Sequence, residues 1–261
     1  MRHSLALILG ALILAGPAPL LAQGVSGEDY GVITGPGLYR TCLERLASDP
    51  DGAFDMASEW RDRGGGVPAR HCTALALIEL GHPGEGAARL DELASDPGAG
   101  GAVLRAEILA QAGNAWLMEG EAGRAINSLT TAMGLEVGPE TLALLTFDRG
   151  RAYALSGEFA EAAEDFTAVL ALHPRFVEAL VLRANALRAV GDFVRAREDV
   201  VAALTLAPED PHALFEKGAL DYLQGDTVSA RTALVRSLAL APDGAVADAA
   251  RAVLEKIEHG E

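Results

Sequence analysis

Two cysteines and their neighbouring histidines carry most of the reactive chemistry open to this chain. Cys42 and Cys72 are the only cysteines among 261 residues, with His71 beside the second and His82 ten residues on. In an oxidising compartment a small, even number of cysteines points to a disulfide. The alternative is two free buried thiols. A loop of about 30 residues closed by such a bridge contributes roughly 3 kcal/mol in the chain-entropy model. A redox pair would ordinarily read Cys-x-x-Cys, which is absent. A zinc site needs ligands that converge, at short fixed spacing on turns. Adjacent residues on a helix, such as His71 and Cys72, point about 100° apart and converge poorly.

Other catalytic signatures are missing. The chain has no His-Glu-x-x-His, no Gly-x-Ser-x-Gly, no phosphate-binding loop and no dinucleotide fingerprint. Gly81-His82-Pro83-Gly84-Glu85-Gly86 reads as a glycine-rich turn. No nucleophile is paired with a base in a recognisable motif, so neither catalysis nor a metal or other cofactor is expected. The net charge of −16 sets the chain against nucleic acid and anionic lipid at a distance.

The first residues carry an address. Arg2 and His3 begin it, Leu5 to Ala15 is apolar, Gly16-Pro17 breaks the run, and a cleavage site follows at Ala22. Residues 1–22 therefore read as a secretory signal peptide, with an uncleaved anchor as the alternative. The run is short for a bilayer span, so no membrane insertion is expected after cleavage. No cysteine follows to take a lipid. Only Lys217 and Lys256 are lysines, against many arginines, alanines and glycines. That bias is common in high-GC bacteria, and the expected compartment is the periplasm. Residues 23–37 read as a flexible linker.

Behind these features the elements repeat. Gly157, Gly191 and Gly225 are spaced by 34 residues, and so are Ala162, Ala196 and Ala230, and Pro174, Pro208 and Pro242. A period of this length means a stack of identical supersecondary units. Each unit reads as two helices. One runs up to Ser156 and is ended by Gly157. The next carries Phe159, Ala162, Ala163, Phe166, Val169 and Leu170 as one apolar stripe, until Pro174 stops it. Where the first helix has Arg149 or Arg183, Asp165 or Asp199 stands sixteen residues on. These read as exposed ion pairs between the two helices, contributing about 0–1 kcal/mol each.

The repeat resembles the tetratricopeptide repeat family. Gly150, Tyr153, Gly157, Phe159, Ala162, Phe166 and Pro174 match its signature. Ala184, Leu187, Gly191, Phe193, Ala196, Val200, Ala203 and Pro208 repeat the match, as do Gly113, Trp116, Gly120, Ala125, Leu129 and Ala132 upstream. A further copy has Gly218, Gly225, Ala230, Leu234 and Pro242, but Asp221 replaces its aromatic residue. The resemblance implies an all-α, right-handed superhelical solenoid of antiparallel helix pairs. Tetratricopeptide repeats would occupy 101–244, divergent helical repeats 38–100, and a capping helix with a tail 245–261. That last segment places Val246, Ala249, Ala250, Val253, Leu254 and Ile257 on one face.

By the same resemblance the first helices line a concave groove. Its lining would include Asn114, Leu117, Phe147, Arg151, Val181, Asn185, Arg188, Phe215 and Tyr222, and a protein or peptide partner would lie there. Asn114 and Asn185 fall where peptide-binding members place an asparagine that contacts backbone, and Arg151 falls at the equivalent point between them. Glu107, Glu178 and Glu216 occupy positions related to the basic clamp for a C-terminal carboxylate, so that specificity is not carried over. The arginines would favour acidic segments. Replacing Arg151 and Asn185 is expected to leave folding nearly intact, as exposed positions do. The expected function is a non-catalytic interaction scaffold or adaptor of the periplasm. A cell-envelope assembly or chaperone-like factor holding extended clients is the alternative, and a metal-dependent or enzymatic activity is the reading from another class.

Overall fold

The computed structural model describes residues 36–260, all of whose regular structure is helical. The expected signal peptide at 1–22 and nearly all of the expected linker lie outside the described residues. Thirteen helices follow in chain order: α1 Pro36–Leu46, α2 Pro50–Asp62, α3 Gly66–Glu79, α4 Pro83–Ala94, α5 Ala102–Glu119, α6 Ala122–Met133, α7 Pro139–Ser156, α8 Phe159–Leu172, α9 Val177–Ala189, α10 Phe193–Leu206, α11 Pro211–Leu223, α12 Thr227–Leu240 and α13 Ala245–His259. The fold class is the all-α helical-repeat solenoid. Among the described residues the chain divides into two compact units, 36–149 and 150–260, with the division falling inside α7. No described helix is long and apolar enough to cross a membrane.

The glycines at the 34-residue step do conformational work. Gly191 and Gly225 have φ of 87° and 84°, in the left-handed region. At Gly191 this lets the Asp192 amide reach back to the Leu187 carbonyl at 2.9 Å, closing the end of α9. The next helix begins at once, because the Asp192 side chain accepts from the Arg195 amide. Asp226 does the same for Ser229 at the head of α12, and Asp210 for Ala213 at the head of α11.

Packing within a helix pair rests on a small residue facing a large one sixteen positions later. A Cβ on Gly113 would lie 2.6 Å from Leu129, on Gly150 2.8 Å from Phe166, and on Gly218 2.6 Å from Leu234. No side chain fits in those gaps without displacing the partner, and the closeness lets the two helices cross tightly. In α9 the small residue is Ala184, and the residue sixteen on is the smaller Val200; both are buried.

In the 36–149 unit the first core cluster joins Tyr39 and Cys42 of α1 to Ala53, Ala57 and Trp60 of α2 and to Ala69, Cys72 and Ala76 of α3. A disulfide between Cys42 and Cys72 ties α1 to α3, with Cα atoms 6.4 Å apart. In the 150–260 unit α13 turns Val246, Ala249, Ala250 and Val253 onto Phe215, Ala219 and Leu234. Its apolar face thereby covers the end of the α11–α12 pair.

Candidate interaction surface

The polar residues of the first helices form clasps between successive repeats. In the 150–260 unit, Asn185 of α9 donates through Nδ2 to Glu216 Oε1 at 2.8 Å. Arg188 adds Nε to Oε2 at 2.7 Å and Nη2 to Oε1 at 3.1 Å. Glu216 is 0% exposed, Asn185 2% and Arg188 7%. A carboxylate this deep is tolerated because an arginine fork and an amide satisfy both its oxygens. In the 36–149 unit, Asn114 of α5 donates to Asp148 Oδ2 of α7 at 2.8 Å and to the Ala110 carbonyl at 3.1 Å. Asn114 and Asn185 each follow the small residue of their helix, and Asp148 and Glu216 each stand two residues before the tight glycine of the next first helix. The two clasps are therefore one device used twice.

A third bond of this kind leads into α5. His71 Nε2 lies 2.5 Å from Gln111 Oε1, and Gln111 also stands two residues before a tight glycine, Gly113. Because the amide oxygen can only accept, Nε2 carries the proton. Nδ1 then accepts from the Tyr39 hydroxyl at 2.6 Å. His71 is fully buried beside the disulfide, and desolvation pulls its pKa down to about 4, against a smaller upward pull from Gln111. Both its ring nitrogens are thus engaged with neutral side chains, and Cys72 is bonded to Cys42. Among the described residues no cluster of histidine, cysteine or carboxylate side chains is placed to hold a metal.

These positions correct the expectation of an exposed polar row. Phe147, Arg151, Val181, Asn185, Arg188 and Phe215 are all buried, as is Leu117. Asn114 and Tyr222 are half-buried. For Asn185 and Arg188 the physical reason is that α11, the next first helix, meets them through Glu216, so what looks like a groove lining from one repeat is the inter-repeat seam. Arg188 is neutralised by Glu216, so it offers no charge for acidic segments. Replacing Asn185 would strip a donor from a buried carboxylate, contrary to the expectation of intact folding.

The ion pairs also sit deeper than expected. Arg183 binds Asp199 with two bonds, Nε to Oδ2 at 2.8 Å and Nη2 to Oδ1 at 2.6 Å, and Nη1 reaches Thr167 Oγ1 at 3.2 Å. The Asp199 bond raises the Arg183 pKa further above its ordinary value. Asp221, which stands where the repeat signature asks for an aromatic residue, is buried and collects Lys217 Nζ at 2.6 Å and Arg197 Nη1 at 2.9 Å. In sequence, Glu216 reads only as an obstacle to a carboxylate clamp and Asp221 only as a departure from the repeat signature. The available signal was an acid at a position that faces an amide or a cation one repeat away.

A tetratricopeptide repeat model matches residues 147–199 and 181–245. No curated protein matches the sequence. Among solved structures, PilF of Pseudomonas aeruginosa is similar over 82% of this chain and 95% of its own, at 15% identity and a TM-score of 0.63. MamA from residue 41 onward, of Desulfovibrio magneticus RS-1, is similar over 67% of this chain and 94% of its own, at 19% identity and 0.58. YrrB, described as a tetratricopeptide repeat protein with an unusual peptide-binding site, is similar over 75% of this chain and 96% of its own, at 15% identity and 0.55. At these identities the likeness is one of fold. Residues 147–245 carry tetratricopeptide repeats, and the described residues have the helical-repeat solenoid fold of these structures.

Proposed function

We propose that the protein is a non-catalytic interaction scaffold of the bacterial periplasm that holds a protein or peptide partner on its first-helix face. The observation that carries this reading is the run of tetratricopeptide repeats over 147–245, a fold that offers stacked first helices as an extended surface. Residues 1–22, read as a signal peptide, support export. The clasps change what each residue contributes. The buried Asn185–Arg188–Glu216 group, with Phe147, Arg151, Val181 and Phe215, fixes the spacing and rigidity of the face. Direct contact falls to the half-buried Asn114 and Tyr222 within their respective units. YrrB, whose solved structure is described by its peptide-binding site, offers a precedent for such use of the fold.

The test is affinity capture from periplasmic extract with the tagged protein, followed by mass spectrometry. One stoichiometric partner, lost on Tyr222→Ala with helical content unchanged, supports an adaptor. Many partners recovered only as unfolded chains support a holding factor for extended clients. Recovery that ignores Tyr222→Ala and Asn114→Ala alike places the contact elsewhere. Absence of the tagged chain from the periplasmic fraction would refute the compartment.

A further inference from the structure

Helix α1 is attached to the rest of its unit through very little. Among its described side chains only Tyr39 and Cys42 are buried, with Leu43 and Leu46 half-buried against the same cluster. The surface beneath is shallow, because Ala53 and Ala57 of α2 and Ala69 and Ala76 of α3 form much of it. Alanines bury little area, so this contact stabilises less than a leucine-lined seam would. Two specific ties add to it, and both end on neighbouring residues of α3. The Tyr39 hydroxyl donates to His71 Nδ1 at 2.6 Å, and Cys42 is bonded to Cys72. The turn behind α1 has the makings of a hinge. Ala47 and Ser48 are exposed, and the Arg45–Asp49 pair across the turn is solvent-exposed enough to hold it only weakly. Helix α2 starts from its own cap, with Asp49 accepting from the Gly52 amide at 2.9 Å and Pro50 in the first turn. It therefore does not need α1 in order to begin.

The helices behind α1 are anchored without it. Helix α3 is buried along most of its length, from Pro68 to Ile78. It crosses α4 so closely that a Cβ on Gly86 would lie 2.5 Å from Ile78. Arg70 of α3 binds Asp96, just beyond α4, at 2.6 Å, and His71 reaches Gln111 of α5. Trp60 seats α2 against Gly65 at the head of α3, where a Cβ would lie 2.6 Å from its ring. We propose that α1 is a strap latched by oxidation: with Cys42 and Cys72 as thiols it opens alone about the 47–49 turn, while α2 to α6 stay folded. A lone helix of eleven residues is marginal in water, so the opened strap melts instead of swinging as a rod. Opening uncovers the alanine face of α2 and α3 together with His71 and Cys72. The latch is released by a dithiol. Its thiolate attacks one sulfur of the bridge, and the other leaves as a thiolate and takes a proton. The second sulfur of the dithiol then displaces the first cysteine, which is protonated in turn. The chain gains two electrons and two protons as two thiols, and the dithiol becomes its disulfide. Both cysteines are fully buried, so the dithiol must wait for α1 to fray, and the oxidised protein stays latched between encounters.

Hydrogen exchange of the purified full chain at neutral pH, read by mass spectrometry of its peptides, tests the latch. The oxidised protein should protect 36–46 together with α2 and α3. Reduction with excess dithiothreitol should speed exchange in 36–46 about a hundredfold, the loop-closure advantage of a bridge spanning 30 residues expressed as an opening constant. The peptides of α3, α4 and α5 should change little. Cys42→Ala combined with Cys72→Ala should give the same pattern without a reductant. Tyr39→Phe should leave 36–46 protected in the oxidised protein, where the bridge alone keeps the strap closed, and should speed its exchange further in the reduced protein. Protection of 36–46 that ignores reduction would overturn the proposal. So would a loss of protection spread equally through 36–94 in the reduced wild-type protein, which would make the bridge a staple for that whole end and not a latch on one helix.

Discussion

Acid should loosen the 36–149 unit well before carboxylates begin to titrate, and His71 is the reason. In the folded chain its imidazole is buried as the neutral form, accepting from Tyr39 and donating to Gln111, with a pKa of about 4 against an unfolded value of 6.5. The unfolded chain therefore takes up the proton first. The stability that neutral His71 confers is complete above pH 6.5, falls as the pH drops below it, and is exhausted near pH 4. At pH 5 the unfolded histidine lies about 1.5 units below its pKa while the folded one is still neutral, so the loss from pH 7 is about 2 kcal/mol. The depressed carboxylates Asp49, Asp96 and Asp226 act below their ordinary 3.8 and leave this window to His71. The assay is urea unfolding at pH 7 and pH 5, followed by fluorescence of Trp60 in the same core cluster, with the disulfide intact. His71→Gln keeps a donor and an acceptor but cannot titrate, so its midpoint should be nearly independent of pH in this range. An equal acid loss in His71→Gln, or no acid loss in the wild-type protein, would refute the reasoning.

Gly218→Ala should destabilise by about 1–3 kcal/mol, because its Cβ would sit 2.6 Å from Leu234. Adding Leu234→Val should recover part of the loss by recreating the Ala184–Val200 combination, as thermal unfolding would show. Glu216→Leu should cost about 3–5 kcal/mol by leaving Arg188 buried without its partner, and Arg188→Met combined with Glu216→Leu should be far milder. Reducing the Cys42–Cys72 disulfide should remove about 3 kcal/mol from the 36–149 unit. The Trp60 transition would report that change, since Trp60 lies in the same core cluster as both cysteines.

The fold was legible because its determinants are local. Gly157, Gly191, Gly225 and the prolines mark turns by their own backbone chemistry, and Gly218 with Leu234 or Gly150 with Phe166 mark packing at a fixed step. The cysteine pair was legible for a similar reason, since two thiols on helices of neighbouring repeats have few other fates. The polar seam was not. Asn185 looks the same in sequence whether it faces solvent or a carboxylate 31 residues away. Period alone says which positions recur, while burial depends on how closely the next first helix packs. Glu216 and Asp221 needed their partners in α9 and α10 to be understood as buried acceptors rather than exceptions to the repeat signature.

The central claim is that a partner lies on the first-helix face, and site-specific photo-crosslinking in the producing cell tests it most directly. A photoreactive residue at position 222, on α11, should trap one protein other than this chain, while the same residue at position 201, on the outer side of α10, should not trap that protein. Absence of any adduct from position 222, with the foreign partner captured from position 201 instead, would contradict the account.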